Sequence, residues 1–228
     1  MLTISLNIRH GGGRRVRSIV DWVVRKGPDV VVLTEWRNNE PGLRLKLCLE
    51  DAGFSVKQHD RLDSRSNGLL IAAKEFFSVR SETPSGSEKG ELLYVSLECG
   101  VRLLAAYFPQ GRDKSPFFDR CVAAAAENGT NPLLVIGDFN TGLNDLDVEG
   151  SGTKFHCADL FAALSTGGLV DLWRLQNGRC RDWSWRSPLN GFRIDHAFGN
   201  DVLLSRYRPI QCWLDHEPRN SGITDHSA

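Results

Sequence analysis

Two apolar segments of the sequence run directly into side chains that could bind a cation or move a proton. Residues 30–34 are followed by Glu35, and residues 133–137 are followed by Asp138 and Asn140, with a phenylalanine between them. Apolar, β-branched runs are typical of strands buried on both faces, and α/β sheets bind ligands at the carboxyl ends of such strands. Oxygen ligands at that edge suit a hard divalent ion such as Mg²⁺. Acids are also common where a strand simply meets solvent, so this pattern alone leaves the simpler explanation open.

The dipeptide Asp-His occurs three times, as Asp195-His196, Asp215-His216 and Asp225-His226. Adjacent residues of a strand point to opposite faces, so one dipeptide rarely supplies two groups to one site. The favoured arrangement therefore pairs an Asp of one element with a His of another, where the carboxylate favours the charged imidazole. Surface ion pairing is the simpler explanation of any single dipeptide. We adopt it for Asp215-His216, whose following residues are polar.

A run of three glycines follows His10. It is similar to the oxyanion loop of esterases, but the G-x-S-x-G motif is missing, since residues 86–90 have the wrong spacing. The G-K-[ST] and G-x-G-x-x-G signatures of nucleotide-binding loops are missing too. What remains is a flexible turn that could contact phosphates or simply be solvated. The basic residues around it are Arg9, Arg14, Arg15 and Arg17.

Strands and helices alternate along the chain. Alternating apolar residues over 2–8 predict a strand, and helical spacing from Val16 to Val24 predicts a helix that Gly27-Pro28 ends. Further strands are predicted at 29–34, 68–73, 92–98, 101–107 and 133–136, further helices at 43–51, 116–127 and 158–164, and the segments 192–198 and 208–214 complete the set. Mixed elements with several strands adjacent in sequence favour one α/β domain with two sheets.

The composition excludes several classes of protein. The 228 residues are 41% hydrophobic and 9% aromatic, as in ordinary globular chains, which excludes a disordered or coiled-coil protein. The 28 basic and 28 acidic side chains balance, which disfavours polybasic binding of nucleic acid but permits a local basic rim. Without a long apolar run, a signal-peptide pattern or paired cysteine motifs, we expect a cytoplasmic protein with free thiols and no membrane contact.

Five segments in order resemble the motifs of the endonuclease/exonuclease/phosphatase superfamily. They are Ser5-Leu6-Asn7, residues 28–35, Gly-Asp-Phe-Asn at 137–140, Gly-Phe-Arg-Ile-Asp at 191–195 and Thr-Asp-His-Ser at 224–227. The exodeoxyribonuclease III-type (AP endonuclease) branch is the most similar. Its features are matched by Tyr-Phe-Pro-Gln-Gly at 107–111, Asn-Asp-Leu-Asp-Val at 144–148, and residues 168–171 and 183–185. The resemblance covers nearly the whole chain.

The resemblance implies a fold and a reaction. It implies one catalytic domain over residues 1–228, built as a four-layer α/β sandwich with two mixed β-sheets packed face to face and helices outside. It also implies metal-assisted hydrolysis of a phosphodiester by in-line attack of water. Glu35, Asn7 and Asp225 would hold Mg²⁺, with Mn²⁺ as a possible substitute.

The resemblance also implies roles for the side chains that move protons or contact the phosphate. Asp138 would orient and deprotonate the attacking water, and Asn140 would position that water or the phosphate. A protonated His226, held by Asp195, would donate to a non-bridging oxygen as negative charge builds. Tyr107 would contact the phosphate or the leaving group through its hydroxyl.

Substrate contacts are expected from the motifs and from their neighbours. The motif side chains with this role are Asn7, Asn140 and Tyr107. Phe192 is a candidate wall for a sugar or base, since stacking on a base contributes about 1–3 kcal/mol. Trp185 could join it, although packing in the core is the favoured interpretation for that residue. Arg112 and Lys114 are expected to be exposed charges. They either contact a phosphate backbone or have no functional contact.

The chain departs from the family pattern in several places. Gln110 stands where the branch usually has Asn, and residues 9–13 replace a short polar turn. The loop over residues 185–191 is short, and the chain ends two residues after His226, where relatives continue into a final strand, so we expect that strand to be truncated.

Three functions remain open on the sequence. The first is a monomeric nuclease that acts on DNA, in preference to RNA, as a 3′ exonuclease, an abasic-site endonuclease or both. The second is a phosphatase or phosphodiesterase for a small-molecule or lipid phosphoester, which the neutral charge favours. The third is a catalytically silent nucleic-acid-binding module, against which the complete set of catalytic residue types argues.

Overall fold

The computed structural model describes residues 1–58, 63–150 and 153–228. The strands are β1 (Thr3–Asn7), β2 (Val30–Trp36), β3 (Ser55–Gln58), β4 (Gly68–Ala73), β5 (Phe77–Ser81), β6 (Glu91–Leu97), β7 (Arg102–Tyr107), β8 (Leu133–Asp138), β9 (Val170–Asp171), β10 (Trp185–Arg186), β11 (Gly191–Phe192) and β12 (Asp195–Gly199). The helices are α1 (Val16–Lys26), α2 (Glu40–Asp51), α3 (Ser115–Glu127), α4 (Ala158–Ala163), α5 (Leu172–Asn177), α6 (Asp201–Arg206) and α7 (Glu217–Asn220), with a short 3₁₀ helix at Gly13–Arg15.

The strands form two large sheets and one small ribbon. The first sheet has the order β1-β2-β4-β3, in which β1 and β2 are parallel and the other pairs antiparallel. The second sheet has the order β5-β6-β7-β8-β12-β9, in which only β7 and β8 are parallel. Strands β10 and β11 pair as an antiparallel ribbon. Both large sheets are therefore mixed.

Alternation along β2 divides its side chains between two cores. Val30 and Val32 pack into the core shared by the two sheets, whereas Val31 and Leu33 pack with helices α1 and α2. All four are fully buried. Because successive side chains of a strand point to opposite faces, a continuous apolar run such as this one needs cover on both sides.

The second sheet repeats this division on β8. Leu134 and Ile136 belong to the core between the sheets, while Leu133 and Val135 pack with helices α3 and α4. Each fully buried side chain of this size stabilises the fold by about 1.5–3 kcal/mol relative to an exposed one. The layers are thus helices, first sheet, second sheet and helices, which confirms the expected four-layer α/β sandwich.

A buried ion network holds the segment before β12 in place. Arg193 is fully buried and donates through Nε to Asp147 at 2.8 Å and through Nη2 to Asp171 at 2.7 Å. Arg174 also donates to Asp147. Removing one partner of such a buried group leaves an uncompensated charge, which costs several kcal/mol. Arg193 therefore fixes the start of the strand that carries Asp195.

The long, apolar elements match the sequence predictions, and the irregular ones do not. The helix predicted from Val16 ends at Gly27, whose φ of 64° is the left-handed cap expected for that glycine. The half-exposed strands β3 and β5 lacked an apolar run and were not predicted.

The segment 208–214 forms no regular element, so that prediction is wrong. Ile210 and Cys212 do pack against the core between the sheets, which explains the alternating pattern. Their main-chain groups bond to the side chain of Gln176 rather than to a strand, at 3.0 and 3.1 Å, and Pro209 has no N–H to donate.

Two further properties concern membrane contact and the cysteines. No helix in the described ranges is long and apolar enough to cross a membrane. All six cysteines are free thiols.

The close approach of β7 and β8 leads to a first prediction. Gly137 has a φ of 149°, and a Cβ there would lie 1.9 Å from the main-chain oxygen of Ala106. We expect Gly137→Ala to lower the free energy of unfolding by about 3 kcal/mol, at the upper end of the usual cost of overpacking. Gly150→Ala is the matched control, because a Cβ at Gly150 meets no atom within 4 Å. Equal urea midpoints for the two variants would show that the strands can separate at little cost.

Candidate active site

Five of the predicted site residues lie at one edge of the two sheets. Asn7 and Tyr107 end their strands, Glu35 lies near the end of β2, Asp138 ends β8, and Asp195 begins β12. Since β12 runs antiparallel to β8, its start lies beside the end of β8, with Asp195 directly opposite Asp138. The face-to-face packing of the sheets brings these ends together.

Asn7 connects the two sheets. Its Nδ2 donates to Glu35 Oε1 at 3.2 Å, in the first sheet, and to Asp138 Oδ2 at 2.9 Å, in the second. Its Oδ1 accepts from the Arg9 N–H at 2.8 Å, and its main-chain oxygen accepts from Thr224 Oγ1 at 2.7 Å. With both ends of the amide committed and the residue only 1% exposed, its orientation is fixed.

Glu35 presents its carboxylate at an irregularity in β2. The pairing with β4 shifts register between Thr34 and Trp36, and Glu35 has a φ of 58°. Bulges of this kind redirect a side chain next to active sites. Oε1 accepts from Asn7 and Oε2 accepts from the His10 N–H at 2.8 Å. A carboxylate has about four acceptor positions, so half of them remain for a cation, and this donor set fits a divalent ion.

Asp138, Asp195 and His226 form a buried cluster. His226 Nδ1 lies 2.8 Å from Asp195 Oδ2, so the structure pairs an Asp of one element with a His of another. Asp138 Oδ1 accepts from the Asn140 N–H at 2.9 Å. One ligand-type atom from each of the three cluster residues lies within 4.8 Å of the others. All three side chains are buried.

The cluster changes the proton affinity of its members. Burial, and then the negative charge of Asp195, raises the pKa of Asp138 above its ordinary value. Burial lowers the pKa of His226, but the charge and hydrogen bond of Asp195 outweigh it, with smaller contributions from Asp138 and Asp225, and raise that pKa to about 9. The arrangement therefore keeps a positively charged imidazole beside a carboxyl group that readily takes up a proton.

Asn140 lies in a tight turn that a lysine supports. Its φ is 50°, its Nδ2 donates to the Phe108 oxygen at 2.9 Å, and its own main-chain oxygen accepts from Lys114 Nζ at 2.5 Å. Lys114 is 1% exposed, and burial lowers its pKa to about 8. The expectation of an exposed Lys114 is therefore wrong, because this side chain is needed inside as a donor to the turn.

Tyr107 is held by two residues that the sequence analysis missed. Asn67 Nδ2 donates to the Tyr107 hydroxyl at 3.2 Å, and Asn67 Oδ1 accepts from Arg37 Nε at 2.6 Å. Burial, and then the charge of Glu35, raises the pKa of the Tyr107 phenol, so it stays neutral. An amide directly before the wholly apolar strand β4 was the available signal for Asn67.

Two aromatic rings stack beside Asp225. Trp185 and Phe192 have ring centroids 5.4 Å apart and planes inclined by 7°. Both are half-buried, so Trp185 is not the core residue that we favoured. Trp185 Nε1 donates to Asp225 Oδ2 at 3.2 Å, and Arg9 Nε lies 3.8 Å from the same oxygen. In this structure the Asp225 carboxylate therefore contacts Trp185 and Arg9.

The remaining charged candidates differ in role. Arg112 is exposed. Arg15 is structural, since its guanidinium donates to the main-chain oxygens of Ile8, Arg9 and Ile223. Arg14 is exposed, and Arg17 faces Asp21 on the surface of α1.

Two of the Asp-His dipeptides contribute a histidine outside the site. Lys26 Nζ lies 2.6 Å from Asp215, which confirms ion pairing for this dipeptide, and His216 Nε2 lies 3.0 Å from Asp182 Oδ2. His196 is buried, with Nε2 2.8 Å from the Thr141 oxygen, and burial lowers its pKa to about 4. It is therefore neutral.

A family model described as the Endonuclease/Exonuclease/phosphatase family matches residues 4–226. The chain belongs to this family. Among curated proteins, an exodeoxyribonuclease III from Haemophilus influenzae is 26% identical to it over 94% of this chain and 93% of the relative. These comparisons confirm the resemblance to the superfamily and to its exodeoxyribonuclease III-type branch.

Two solved structures share the fold of this chain. A 3′ phosphatase from Neisseria, NExo, bound to a product DNA hairpin, superposes with a TM-score of 0.83 at 18% identity, over 100% of this chain and 96% of that one. An AP endonuclease from Archaeoglobus fulgidus gives a TM-score of 0.82 at 19% identity, over 100% and 97%.

The pairing of His226 with Asp195 predicts an unusual titration. In metal-free protein we expect the His226 imidazole to titrate near pH 9 by NMR. Because this folded-state pKa lies above the ordinary value of 6.5, the contribution to stability is complete below pH 6.5 and is lost as the pH rises through 9. Asp195→Asn should move the titration far toward lower pH.

Asp182→Asn is the matched control for this measurement, since Asp182 contacts His216 and not His226. It should alter the His216 signal and leave that of His226 in place. A His226 titration that is the same in wild-type and Asp195→Asn protein would contradict the assignment of Asp195 as the group that holds the charge.

Proposed function

We propose that this family member is a divalent-metal-dependent phosphodiester hydrolase of the exodeoxyribonuclease III type that acts on DNA, as a 3′ exonuclease, an abasic-site endonuclease or both. The observation that carries the proposal is the Asn7 amide, which joins the Glu35 carboxylate, the proposed cation ligand, to the buried carboxyl of Asp138. One catalytic domain over residues 1–228, acting as a monomer, is part of the proposal. The DNA-bound relative and the exodeoxyribonuclease III relative support DNA as the substrate.

Glu35 and Asn7 would hold the ion, Mg²⁺ or Mn²⁺, with Asp225 as a further ligand once its contacts with Trp185 and Arg9 are released. The chemistry that such an ion supplies is polarisation of the phosphoryl oxygen and neutralisation of developing charge. Asn7 keeps the Glu35 carboxylate turned toward the site through the 3.2 Å bond to Oε1.

Asp138 is the proposed general base. Its burial and the facing Asp195 raise its pKa, so its carboxylate takes a proton from water more readily than an exposed aspartate would. The bonds from Asn7 and from the Asn140 N–H fix both carboxyl oxygens. Asp138 therefore receives the proton at a defined position, and Asn140 lies next to it to orient water or phosphate.

His226 is the proposed donor to the non-bridging oxygens. Its raised pKa keeps the imidazole of His226 protonated at neutral pH. This positive charge is therefore in place before negative charge builds on the phosphate. Asp195 holds the ring through Nδ1, which leaves Nε2–H to donate. Tyr107, neutral and held by Asn67, offers its hydroxyl to the phosphate or the leaving group.

The proposed contacts with the substrate are the stacked rings of Trp185 and Phe192 and the guanidinium of Arg112. Trp185 and Phe192 are half-buried next to Asp225, where a base or sugar could stack on the exposed part of the pair. Arg112 is exposed and free to reach a phosphate of the backbone.

A second candidate function is hydrolysis of a small phosphoester. The balance of 28 basic and 28 acidic side chains favours it, because a protein that neutralises many phosphates usually carries a positive excess.

The proposed base predicts a specific loss of activity. With an abasic-site duplex and a recessed 3′ end in Mg²⁺, wild-type protein should cleave, EDTA should stop cleavage, and Asp138→Asn should reduce kcat by about 10²–10⁴-fold. The variant should fold, since it removes one of two facing buried carboxyls. Asp119→Asn, an exposed aspartate of α3, is the control and should keep full activity. Near-full activity of a folded Asp138→Asn protein would refute the role, and binding without turnover in any divalent ion would indicate a silent binding module.

Salt dependence separates the two candidate functions. For DNA, the logarithm of the binding constant should fall with the logarithm of salt concentration by about 0.9 per phosphate contact. Arg112→Ala should reduce that slope by about 1, whereas Arg17→Ala, on the surface of α1, should not. Binding of DNA that is insensitive to salt, together with release of phosphate from small esters, would favour the second function.

A further inference from the structure

The turn between β1 and α1 is strained and is built onto Glu35. Arg9 and His10 have φ angles of 55° and 54°, and the three glycines that follow also have positive φ. A left-handed conformation costs a residue with a Cβ about 1–2 kcal/mol. The His10 N–H donates to Glu35 Oε2 at 2.8 Å, and the Gly11 N–H donates to the main-chain oxygen of Glu35 at 2.7 Å. Such strain persists where surrounding contacts enforce it, typically at functional sites.

The imidazole of His10 has two contacts that it cannot satisfy together. Its Nδ1 lies 3.1 Å from Glu35 Oε2, an acceptor, and 3.0 Å from Arg37 Nη2, a donor. A ring nitrogen either donates or accepts. If Nδ1 accepts from Arg37, its lone pair faces the lone pairs of the carboxylate. If it donates to Glu35, its N–H faces an N–H of Arg37. One of the two short contacts is repulsive in either case.

A cation between Nδ1 and Oε2 removes this conflict. Both atoms then act as ligands, and Arg37 Nη2 gives up its contact with Nδ1 while Nε keeps its 2.6 Å bond to Asn67. Ligand atoms about 2.1 Å from an ion at neighbouring octahedral positions lie about 3.0 Å apart. The observed separation of 3.1 Å between Nδ1 and Oε2 matches that spacing. His10 is also 61% exposed, so an ion can reach it from solvent.

From this geometry we infer that His10 is a metal ligand together with Glu35, and that the site selects a first-row transition ion such as Mn²⁺ over Mg²⁺. The inference rests on the proposed metal-dependent function and refines its cofactor. Mg²⁺ prefers oxygen ligands and gives up its waters reluctantly, whereas imidazole nitrogen is a good ligand for transition ions. A histidine in the ligand set therefore strengthens binding of Mn²⁺ far more than binding of Mg²⁺.

The test compares metal binding, independently of activity, in the full chain and two variants. His10→Asn removes the imidazole but keeps a residue type that tolerates the left-handed conformation. His156→Asn is the matched control, because His156 is an exposed histidine remote in sequence from this turn. The measurements are calorimetric titrations with Mn²⁺ and with Mg²⁺, and pulsed electron paramagnetic resonance of bound Mn²⁺, which detects coupling to an imidazole nitrogen.

We expect nitrogen coupling in the wild-type and His156→Asn proteins and none in His10→Asn. The affinity of His10→Asn for Mn²⁺ should fall about tenfold, with a change of less than about twofold for Mg²⁺. Coupling that persists in His10→Asn would assign the nitrogen to His226 and overturn the inference. Unchanged or tighter Mn²⁺ binding by that variant would also overturn it, since His10 would then merely pair with Glu35. Failure of wild-type protein to bind either ion would instead refute the metal dependence in the proposed function.

Discussion

Two buried carboxyl groups face each other across the paired strands β8 and β12, and the surrounding structure has to accommodate them. Asp138 and Asp195 are directly opposed in the antiparallel pairing of β8 with β12, and both are buried. Like charges in that position repel, and burial removes the water that would screen them. The pair is tolerated because His226 bonds to Asp195 and because the amide of Asn7 donates to Asp138. Each of these partners comes from a different part of the chain, so the whole sandwich has to assemble around the pair.

Neighbouring contacts keep Asp138 and Asp195 opposite each other. Gly137 allows β8 to approach β7 where no Cβ would fit, which places Asp138 at the mouth of the site. On the other side, the bonds of Arg193 to Asp147 and Asp171 anchor the segment that leads into Asp195. A displacement of either strand by one residue would turn one of the carboxyls away from the site.

The sequence predicts the parts of the molecule that burial dictates and misses those that contacts between distant residues dictate. Continuous apolar runs such as that of β2 are informative because both faces are covered, whereas the alternating pattern of residues 208–214 belongs to a segment that pairs with no strand. The sequence motifs predict that Asn7, Glu35 and Asp138 lie together at the strand ends along one edge of the sheets. Lys114 is different, because its charge suggests a surface position. Only the fold shows that its ammonium group is buried and donates a hydrogen bond to the main-chain oxygen of Asn140. Arg37, too, acquires a role only through its contacts with other loops.

The hydrogen bond from Thr224 to the main chain of Asn7 spans 217 positions of the sequence. It closes the site by joining the first strand to the segment that carries His226. During synthesis the first strand emerges long before that segment, so this hydrogen bond cannot form until the segment that carries His226 has been made. Contacts of such long range form late and slow the completion of folding. The cluster of Asp138 and Asp195 therefore acquires its charged imidazole only after the segment that carries His226 has docked on the first strand.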